Sequence, residues 1–492
     1  MNRFSSLQNA LPLSIQEIPV MDLDSWRNEI LKICRESKGR LIALFSAPAG
    51  KVSRLFGVVG IDQHGELRVG AADLGPNRSY ASLTPELPEA HLFERELFEE
   101  EGILPEGHPW RKPVRKHETG PEGAYPFYEI AGEEIHEVAV GPVHAGIIEP
   151  GHFRFQCHGE KVLHLEIRLG YQHRGVEKLL PKSKPTRRAV LAESVAGDTV
   201  VGHALAYAHA IEALAGRSVP QRAKWLRVVV LELERLSNHI GDLGALGADI
   251  GFLPASAYFG RLRGEFLNLL MELTGNRYGR SFIRPGGVLT DLSEKKRVDF
   301  QRRLAVTSRE IREVADLFFS TSSVLARLEH TGLVTREIAQ SLGLVGPAAR
   351  ASNLIRDIRH DYPTGAYRFH YIPPVRLTSG DVYARARIRS LEGKRSLEFL
   401  EEALKALPPD KIFHLCEGLQ ASSLVVSLIE GWRGEIAHIA MTDARGEIDR
   451  YKIVDPSFHN WMGLSLAMRD GQISDFPLCN KSFNLSYAGH DL

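Results

Sequence analysis

The chain has 492 residues, which is too long for one ordinary core, and its length alone predicts about two to four domains. Lysine plus arginine and aspartate plus glutamate each number 61, so the formal net charge is zero. That balance gives no support for nucleic-acid binding, which usually leaves a basic excess. A content of 43% hydrophobic and 25% charged residues is typical of a globular protein.

The four cysteines, Cys34, Cys157, Cys416 and Cys479, lie far apart and form no CxxC pair. This spacing argues against a disulfide framework and nearly excludes a metal cluster held by cysteines of this chain alone. The first residues lack the pattern of a signal peptide, and no apolar run approaches the roughly 18 residues of a transmembrane helix. We therefore expect a cytosolic protein, or one held at a membrane through partners.

The first 112 residues have the pattern of a small α+β unit. "SWRNEILKICRESK" has helical spacing, "RLIALFSA" and "RLFGVVGID" are typical of strands, and "PEAHLFERELFEEEGI" predicts a helix that ends at Gly102. The stretch that follows is rich in proline, glycine and charge, and its prolines forbid a continuous helix. Residues 113–139 are therefore predicted as a linker to a second unit over residues 140–492.

The second unit opens with short strands around a turn at Gly159 and then becomes mostly helical. Helical spacing runs through "GHALAYAHAIEALAG", "PQRAKWLRVVVLELERLSNHIGDLGAL", "RGEFLNLLMELTG" and "SEKKRVDFQRRLAVTSREIREVADLFFSTSSVLARL". Strand patterns return at "EIAHIAMTD" and at residues 450–454. The predicted fold class is α+β, with a small N-terminal α+β domain followed by a mainly helical bundle that has β edges.

The order of motifs resembles a known family. "ERELFEEEGILPEGHPWRKP" is similar to the end of the 30-kDa-type subunit of respiratory complex I. Further motifs resemble, in the same order, segments of the large subunit shared by complex I and the membrane-bound, energy-converting [NiFe] hydrogenases. They are "GPVHAGIIEPGHFRFQCHGEKV", "LGYQHRGVEKLL", "IRPGGV", "VGPAARAS", "EGWRGE", "DPSFHNW" and "SFNLSYAGHDL". A fusion of both parts resembles the formate hydrogenlyase and hydrogenase-4 large subunits. The resemblance implies a 30-kDa-like domain over 1–112 and a 49-kDa or hydrogenase-large-subunit-like domain over 140–492.

In the hydrogenase members of this family, two CxxC motifs hold nickel and iron through thiolates. By alignment of the flanking motifs, the first pair falls on Ala196 and Thr199 and the second on Ser486 and Gly489. None of these four side chains can supply a thiolate. The resemblance therefore implies vestigial metal positions, with no nickel–iron centre and no other metal.

Complex I has also lost this metal, and its vacated cavity receives the quinone headgroup beside an iron–sulfur cluster of a partner. Asp249 matches the complex I aspartate that links quinone reduction to proton movement, a role that a carboxylate of raised pKa can fill. Four polar residues of this segment stand at helical spacings of four, three and seven: Arg235, His239, Asp242 and Asp249. They are therefore predicted to line one helix face. The alternative is a solvated or interhelical ion-pair face.

The resemblance places two more residues near the reacting groups. Glu149 matches a proton-transfer glutamate of the hydrogenases, and His152 stands near the quinone-facing histidine of complex I, in a register that stays open. The alternative for His152 is a turn histidine bonded to the backbone. The tyrosine with which complex I holds the quinone headgroup falls at Gly197 and is absent, which leaves a non-quinone acceptor open.

His173, Arg174 and Glu177 match the family loop that approaches the terminal cluster of the partner subunit. A positive charge beside cluster sulfurs stabilises the reduced state and raises its potential. The alternative is a helix start with solvated charges. Arg284 and Arg350, like Arg235 and His239, are expected behind the site or in structural roles. The alternating charges of "IRDIRHD" predict an ion-pair network.

Together these features predict a nickel-free large subunit of a membrane-associated, complex I-like or hydrogenase-related oxidoreductase, with Asp249, His152 and Glu149 as its catalytic residues. Quinone is the expected substrate, and a [4Fe-4S] cluster is expected in a partner. The expected partners are a small iron–sulfur subunit, a ferredoxin-like subunit, and antiporter-like and quinone-channel-type membrane subunits on the cytoplasmic side of the cell membrane. The chain has no GxGxxG or Walker A motif for a nucleotide and should be inactive alone.

Three alternatives remain open at this point. One is an active hydrogenase, which the four missing thiolates disfavour. The second is a redox-silent scaffold that only holds partner subunits, and the third is a subunit that reduces a non-quinone acceptor. The electron donor, the pumped ion and the number of partners do not follow from the residues.

Overall fold

A computed structural model describes residues 3–50, 52–116, 125–143 and 149–492. Its strands are β1 (Ser5–Leu7), β2 (Pro12–Ser14), β3 (Val20–Met21), β4 (Arg40–Ala49), β5 (Val52–Ile61), β6 (Glu66–Asp73), β7 (Ser79–Ala81), β8 (Leu104–Glu106), β9 (Ile135–Val140), β10 (His152–His158), β11 (Lys161–Arg168), β12 (Ile283–Arg284), β13 (Gly287–Val288), β14 (Ser423–Gly431), β15 (Gly434–Thr442) and β16 (Ile448–Val454).

The helices of the first half are α1 (Leu23–Glu36), α2 (His91–Glu101), α3 (Val176–Lys182), α4 (Pro185–Glu193), α5 (Val200–Leu214) and α6 (Gln221–Asp249). Those that follow are α7 (Leu253–Thr274), α8 (Glu294–Ser320), α9 (Ser322–Leu328), α10 (Arg336–Ser341), α11 (Gly346–Ala351), α12 (Ile358–Asp361), α13 (Val382–Lys405), α14 (Pro456–Ala467), α15 (Phe476–Phe483) and α16 (Tyr487–Asp491). Among the described helices, none combines the length and the apolar character that crossing a bilayer requires.

The N-terminal sheet has the order β1-β6-β5-β4, with β3 parallel to β6. Helix α1 covers one face of it, because its apolar positions repeat at helical spacing and bury Trp26 and Ile30. The Trp26 indole donates a hydrogen bond to the Gly70 carbonyl at 3.1 Å. The strands and the helix predicted for this unit are confirmed, as is the end of α2 at Gly102, which has left-handed backbone angles.

A second sheet, of order β16-β15-β14-β2, lies near the C-terminus of the chain. Its edge strand β2 comes from the N-terminal unit and pairs with β14, Leu13 opposite Leu424. Every residue of β14 and β15 is buried, so both faces of the sheet are covered. One hydrophobic core contains side chains of β4 and β5 together with Val426 and Leu428 of β14. The N-terminal unit and this sheet therefore share a core.

The middle of the chain is a helical assembly in which α6 packs on α7 and α13. Most of the side chains of α6 are buried, so this helix runs through the interior. Gly244 permits close approach to α7, because a Cβ there would lie 3.3 Å from the Ser256 carbonyl oxygen. Helices and sheets both contribute to the fold, in agreement with the predicted α+β class.

A three-stranded sheet of order β11-β10-β9 carries the start of the second unit. Strand β9 begins at Ile135, inside the stretch of residues 113–139 that was predicted as a linker. Within the same stretch, Val114 is buried and the Arg115 guanidinium donates to the His490 carbonyl at 2.9 Å. The described ends of this stretch are therefore bound to the rest of the protein, while residues 117–124 lie outside the described part.

Candidate functional site

The first two positions that the resemblance predicts as vestigial metal positions, Ala196 and Thr199, lie in a turn before α5, here called the N-terminal turn (residues 194–199). Ala196 and Thr199 are fully buried. The Thr199 hydroxyl accepts hydrogen bonds from the Trp432 indole at 3.1 Å and from the Arg433 guanidinium at 3.0 Å. The predicted vestigial position Thr199 thus carries a hydroxyl that is hydrogen-bonded to the loop between β14 and β15.

The other two positions lie in the C-terminal turn (residues 484–489). The Ser486 hydroxyl caps α16 by accepting from the Gly489 amide at 2.8 Å. A Cβ on Gly489 would lie 2.6 Å from Cγ of Asp455, a distance that real Cβ atoms do not reach. The carboxyl group of Asp455 therefore fills the space that a side chain at position 489 would need.

Arg433 joins the two turns. Its guanidinium forms a two-point ion pair with Asp198, at 2.6 and 2.7 Å, and donates to the Asn484 carbonyl. It also stacks over the Trp432 ring at 3.9 Å. Burial would raise the pKa of Asp198, but the positive charge of Arg433 lowers it below its ordinary value. The ion pair between Arg433 and the ionised Asp198 therefore lies between the two turns.

The residues at the four positions do not fit a nickel–iron centre, because such a centre needs thiolates and none of the four side chains contains sulfur. The nearest cysteine in sequence, Cys479, lies in α15, and burial raises its pKa to about 11. In the described residues, no group of three or more histidine, cysteine, aspartate or glutamate side chains is arranged to hold a metal ion.

Glu149 lies beside the C-terminal turn, where its carboxylate accepts from the Tyr487 amide at 3.0 Å. Burial raises its pKa, and the negative charge of Asp198 adds to the effect. His152 begins β10, its Nδ1 lies 3.0 Å from the Gly141 carbonyl oxygen, and its ring packs on Phe127. The structure thus brings Glu149 into a hydrogen bond with the C-terminal turn. The two turns that hold the predicted vestigial positions are called the vestigial turns below.

The loop of His173 and Arg174 is anchored within this chain. The Arg174 guanidinium donates to the carbonyls of Val195, at 3.0 Å, and Ala488, at 2.9 Å, so it also links the two turns. His173 Nδ1 lies 2.7 Å from the Asp491 carbonyl oxygen. Glu177 accepts from the Ile453 amide at 2.8 Å. Both His173 and Arg174 remain exposed at the surface.

Arg235 and His239 of α6 meet at Glu392 of α13, where His239 Nε2 lies 3.0 Å and an Arg235 nitrogen 3.9 Å from the carboxylate. Arg350 also binds Glu392, at 2.7 Å, and reaches Glu430 at 2.8 Å. All of these side chains are buried. The ion pairs predicted for "IRDIRHD" are present, since Arg359 contacts Asp357 at 2.7 Å. Arg284 is exposed and takes no part in this network.

Asp249 is the last residue of α6 and is exposed. The protein packed beside its carboxyl group removes part of the hydration of the carboxylate and raises its pKa, while the positive charge of Lys481 opposes this shift. Asp242, two turns earlier, is buried and pairs with Arg389 at 2.7 Å. The predicted face of α6 is therefore divided between a buried ion-pair region and an exposed end that carries Asp249.

Four further residues near the turns were not predicted from the sequence as site residues: Asp198, His203, Arg433 and Asp455. A signal existed in the resemblance, because "EGWRGE" contains Arg433 and "DPSFHNW" begins at Asp455. What could not be seen is that segments more than 200 residues apart converge on the two turns.

Comparison with known proteins places the chain in the class of large subunits of complex I and hydrogenases. Residues 249–422 match the family described as "Respiratory-chain NADH dehydrogenase, 49 Kd subunit". The chain is 30% identical to the membrane-bound hydrogenase subunit alpha of Pyrococcus furiosus over 355 residues, 69% of this chain and 83% of the relative. The chain belongs to the family of large subunits shared by complex I and the energy-converting hydrogenases.

Two further relatives represent the two branches of the family. Hydrogenase-4 component G of Escherichia coli is 29% identical over 442 residues, 84% of this chain and 76% of the relative. NADH-quinone oxidoreductase subunit 4 of Thermus thermophilus is 29% identical over 369 residues, 70% of this chain and 90% of the relative. The sequence identity of the chain to these two relatives is the same, so overall identity does not decide between the branches and the site residues have to distinguish them.

Proposed function

We propose that this chain is a nickel-free large subunit of a membrane-associated oxidoreductase complex. It provides the place where electrons from an iron–sulfur cluster of a small partner subunit reach their acceptor, with quinone as the expected acceptor. The observation that carries the proposal is that none of Ala196, Thr199, Ser486 and Gly489 can supply a thiolate, while Glu149 and Arg174 are hydrogen-bonded to the turns that hold these residues.

The relatives support a place in such a complex. Their names describe a component of hydrogenase-4, a subunit of a membrane-bound hydrogenase and a subunit of an NADH-quinone oxidoreductase. By analogy, this chain lies at the cytoplasmic side of the membrane and is held by iron–sulfur, ferredoxin-like and membrane subunits. Its own residues supply proton exchange and orientation, whereas the electrons come from the partner's cluster.

Asp249 is the group proposed to couple reduction to the movement of protons or other ions. Asp249 is exposed at the end of α6, so its carboxylate can exchange protons with solvent. The protein packed beside the carboxyl group removes part of its hydration and raises its pKa. A carboxylate with these properties can take up a proton at one stage and release it at another. The fully buried ion pairs of Arg235 and His239 behind it would hold α6 in a fixed position.

The test uses the intact complex, purified from membranes through a tag on this chain. Nickel content is measured first, and reduction of a short-chain quinone by a low-potential donor is then compared for wild type and Asp249→Asn. Asp316→Asn, an exposed aspartate of α8, is the matched control. A sharp fall with Asp249→Asn alone, in a nickel-free and assembled complex, is expected. Stoichiometric nickel or equal rates in all three proteins would contradict the proposal.

A redox-silent scaffold is the second candidate, and one observation favours it. Asp455 fills the side-chain space of Gly489, and Arg433 is bonded to both vestigial turns, so the former metal position holds protein groups. A scaffold would show no acceptor reduction with any donor, and loss of Asp249 would leave electron transfer in the complex unchanged.

A further inference from the structure

Four buried side chains form a continuous hydrogen-bonded row beside the vestigial turns. His203 Nε2 lies 3.0 Å from Oδ2 of Asp455, and His203 Nδ1 lies 3.0 Å from Nε2 of His438. His438 Nδ1 lies 2.8 Å from the Tyr451 hydroxyl. All four residues are at most 1% exposed. We call this row the Asp455–Tyr451 row.

The order of donors along the row follows from its chemistry. An ionised Asp455 can only accept, so His203 carries its proton on Nε2 and accepts at Nδ1. His438 must then donate from Nε2 and accept at Nδ1, and Tyr451 must donate its hydroxyl proton. Every hydrogen bond therefore points toward Asp455, which is the arrangement that passes a proton along the row toward this carboxylate.

The two ends of the row have different surroundings. Asp455 faces the C-terminal turn, where its oxygens lie 2.7 and 2.8 Å from the place of a Cβ on Gly489. Tyr451 packs beside Tyr207, with ring centroids 6.3 Å apart. The row therefore leads from a tyrosine of the sheet to the former metal position.

The interior of the row disfavours charge on His438. Burial lowers the pKa of His438 far below its ordinary value, and the neighbouring His203 adds to the effect. Burial would raise the pKa of Asp455, but the hydrogen bond from His203 lowers it. The other charged or titratable groups that face the row are Arg433, Asp198, His459 and Tyr207.

We propose that Asp455 delivers a proton to the acceptor at the vestigial turns, and that His203, His438 and Tyr451 return a proton to Asp455. This inference rests on the proposed function, since that function supplies both the electrons and the acceptor. Quinone takes two electrons from the partner's cluster and two protons. The ionised Asp455 first receives a proton from the row, and the O–H bond so formed breaks as one new O–H bond of the quinone forms. The second proton comes from the solvent.

The row supplies this proton in one concerted shift. The Nε2 proton of His203 moves to Asp455, that of His438 moves to Nδ1 of His203, and the hydroxyl proton of Tyr451 moves to Nδ1 of His438. Tyr451 accepts a proton from a hydronium ion of the solvent as it gives up its own, so water is released and no charged imidazole or phenolate forms. Asp455 is then protonated and both rings are in the opposite tautomer. After Asp455 has given its proton to quinone, rotation of the two imidazole rings restores the starting arrangement.

The experiment replaces the relay without breaking the row. In His438→Gln, the amide can still donate to His203 and accept from Tyr451, but it does not pass a proton. Tyr451→Phe removes the outer end. His209→Gln is the matched control, because His209 lies on the same helix as His203 and outside the row. Quinone reduction is measured in the intact complex, in H₂O and in D₂O, with assembly checked by the co-purified subunits.

The expected result is that His438→Gln and Tyr451→Phe each lower kcat at least about tenfold, at unchanged KM for quinone. The solvent isotope effect should rise, because proton transfer becomes rate-limiting, and His209→Gln should match wild type. Wild-type kcat and isotope effect in His438→Gln would overturn the relay and leave the proposed function standing. If wild type reduces no quinone, the proposed function fails first, and the relay fails with it.

Discussion

The carboxyl group of Asp455 lies where a side chain at position 489 would extend, with its Cγ 2.6 Å from the place of the Cβ that Gly489 lacks. The side-chain space at position 489, predicted as the fourth vestigial metal position, is thus taken by a carboxyl group. Asp455 is itself held by His203 and by the Ser457 amide, at 3.0 and 2.8 Å. Glycine at 489 and aspartate at 455 therefore depend on each other.

This dependence predicts a coupling in stability. Gly489→Ala should destabilise the protein by about 1–3 kcal/mol through overpacking, and the cost should shrink when Asp455 is first replaced by serine. Thermal unfolding of the two single variants and the double variant measures the coupling. Gly197→Ala is the control, because a Cβ there meets no heavy atom within 4 Å. Strictly additive changes would show that the two positions are independent.

Arg433 provides the next prediction, because its forked guanidinium reaches Asp198, Thr199 and the Asn484 carbonyl at the same time. Lysine has the same charge but a single nitrogen, so Arg433→Lys loses at least one of these bonds. The Asp198 side chain is 35% exposed and solvent screens its part of the pair, so we expect a loss of about 1–2 kcal/mol. Arg445→Lys, at an exposed position, should leave the melting temperature unchanged.

The loop of Arg174 predicts an effect outside this chain. If the loop faces the partner's terminal cluster, Arg174→Gln removes a positive charge there and should shift the midpoint potential of that cluster to a more negative value. Redox titration of the assembled complex, followed by electron paramagnetic resonance, measures the shift. Lys178→Gln removes a neighbouring charge that is paired with Glu100 and serves as the control. An unchanged midpoint would place the loop away from the cluster.

Much of the fold could be predicted from local patterns. The strands around Gly159, the buried course of α6 and the end of α2 at Gly102 follow from periodicity and from glycine at a left-handed position. Asn353 has φ of 64°, a left-handed conformation that asparagine tolerates better than most residues. Because such features depend on a few neighbouring residues, they can be predicted from the sequence alone.

The parts that could not be predicted depend on distant contacts. Strand β2 joins β14 across more than 400 residues, and the Asp455–Tyr451 row unites α5 with β15, β16 and the start of α14. His203 and His438 appear in sequence as isolated histidines within apolar segments. Only their convergence in space shows that each is the other's hydrogen-bond partner.

Glu89 predicts how stability depends on pH. It is buried where α2 meets β4, and burial raises its pKa from 4.5 to about 7 although it accepts from the Leu41 amide. Because the folded-state pKa is the higher one, the folded protein holds this proton more tightly, and that stabilisation is lost as the pH rises from about 4.5 to about 7. The loss amounts to roughly 3 kcal/mol.

In Glu89→Gln, the amide oxygen can still accept from Leu41 and no proton is exchanged. The fall in melting temperature between pH 5 and pH 8 should therefore be smaller than in wild type. Glu36→Gln, an exposed position of α1, is the control and should keep the wild-type slope. Parallel curves for Glu89→Gln and wild type would mean that Glu89 is ionised throughout this range.

Gly197 offers a direct test of the acceptor. By the resemblance, it is predicted to stand at the place of the complex I tyrosine that holds the quinone headgroup, and a Cβ at this position meets no heavy atom within 4 Å. Gly197→Tyr should therefore fold and assemble. If the vestigial turns bind quinone, the added hydroxyl should lower KM for a short-chain quinone, with Gly197→Phe as the control that lacks only that hydroxyl. Equal KM values for the two variants and wild type would move the assignment toward a non-quinone acceptor, because the position would then not contact a quinone headgroup.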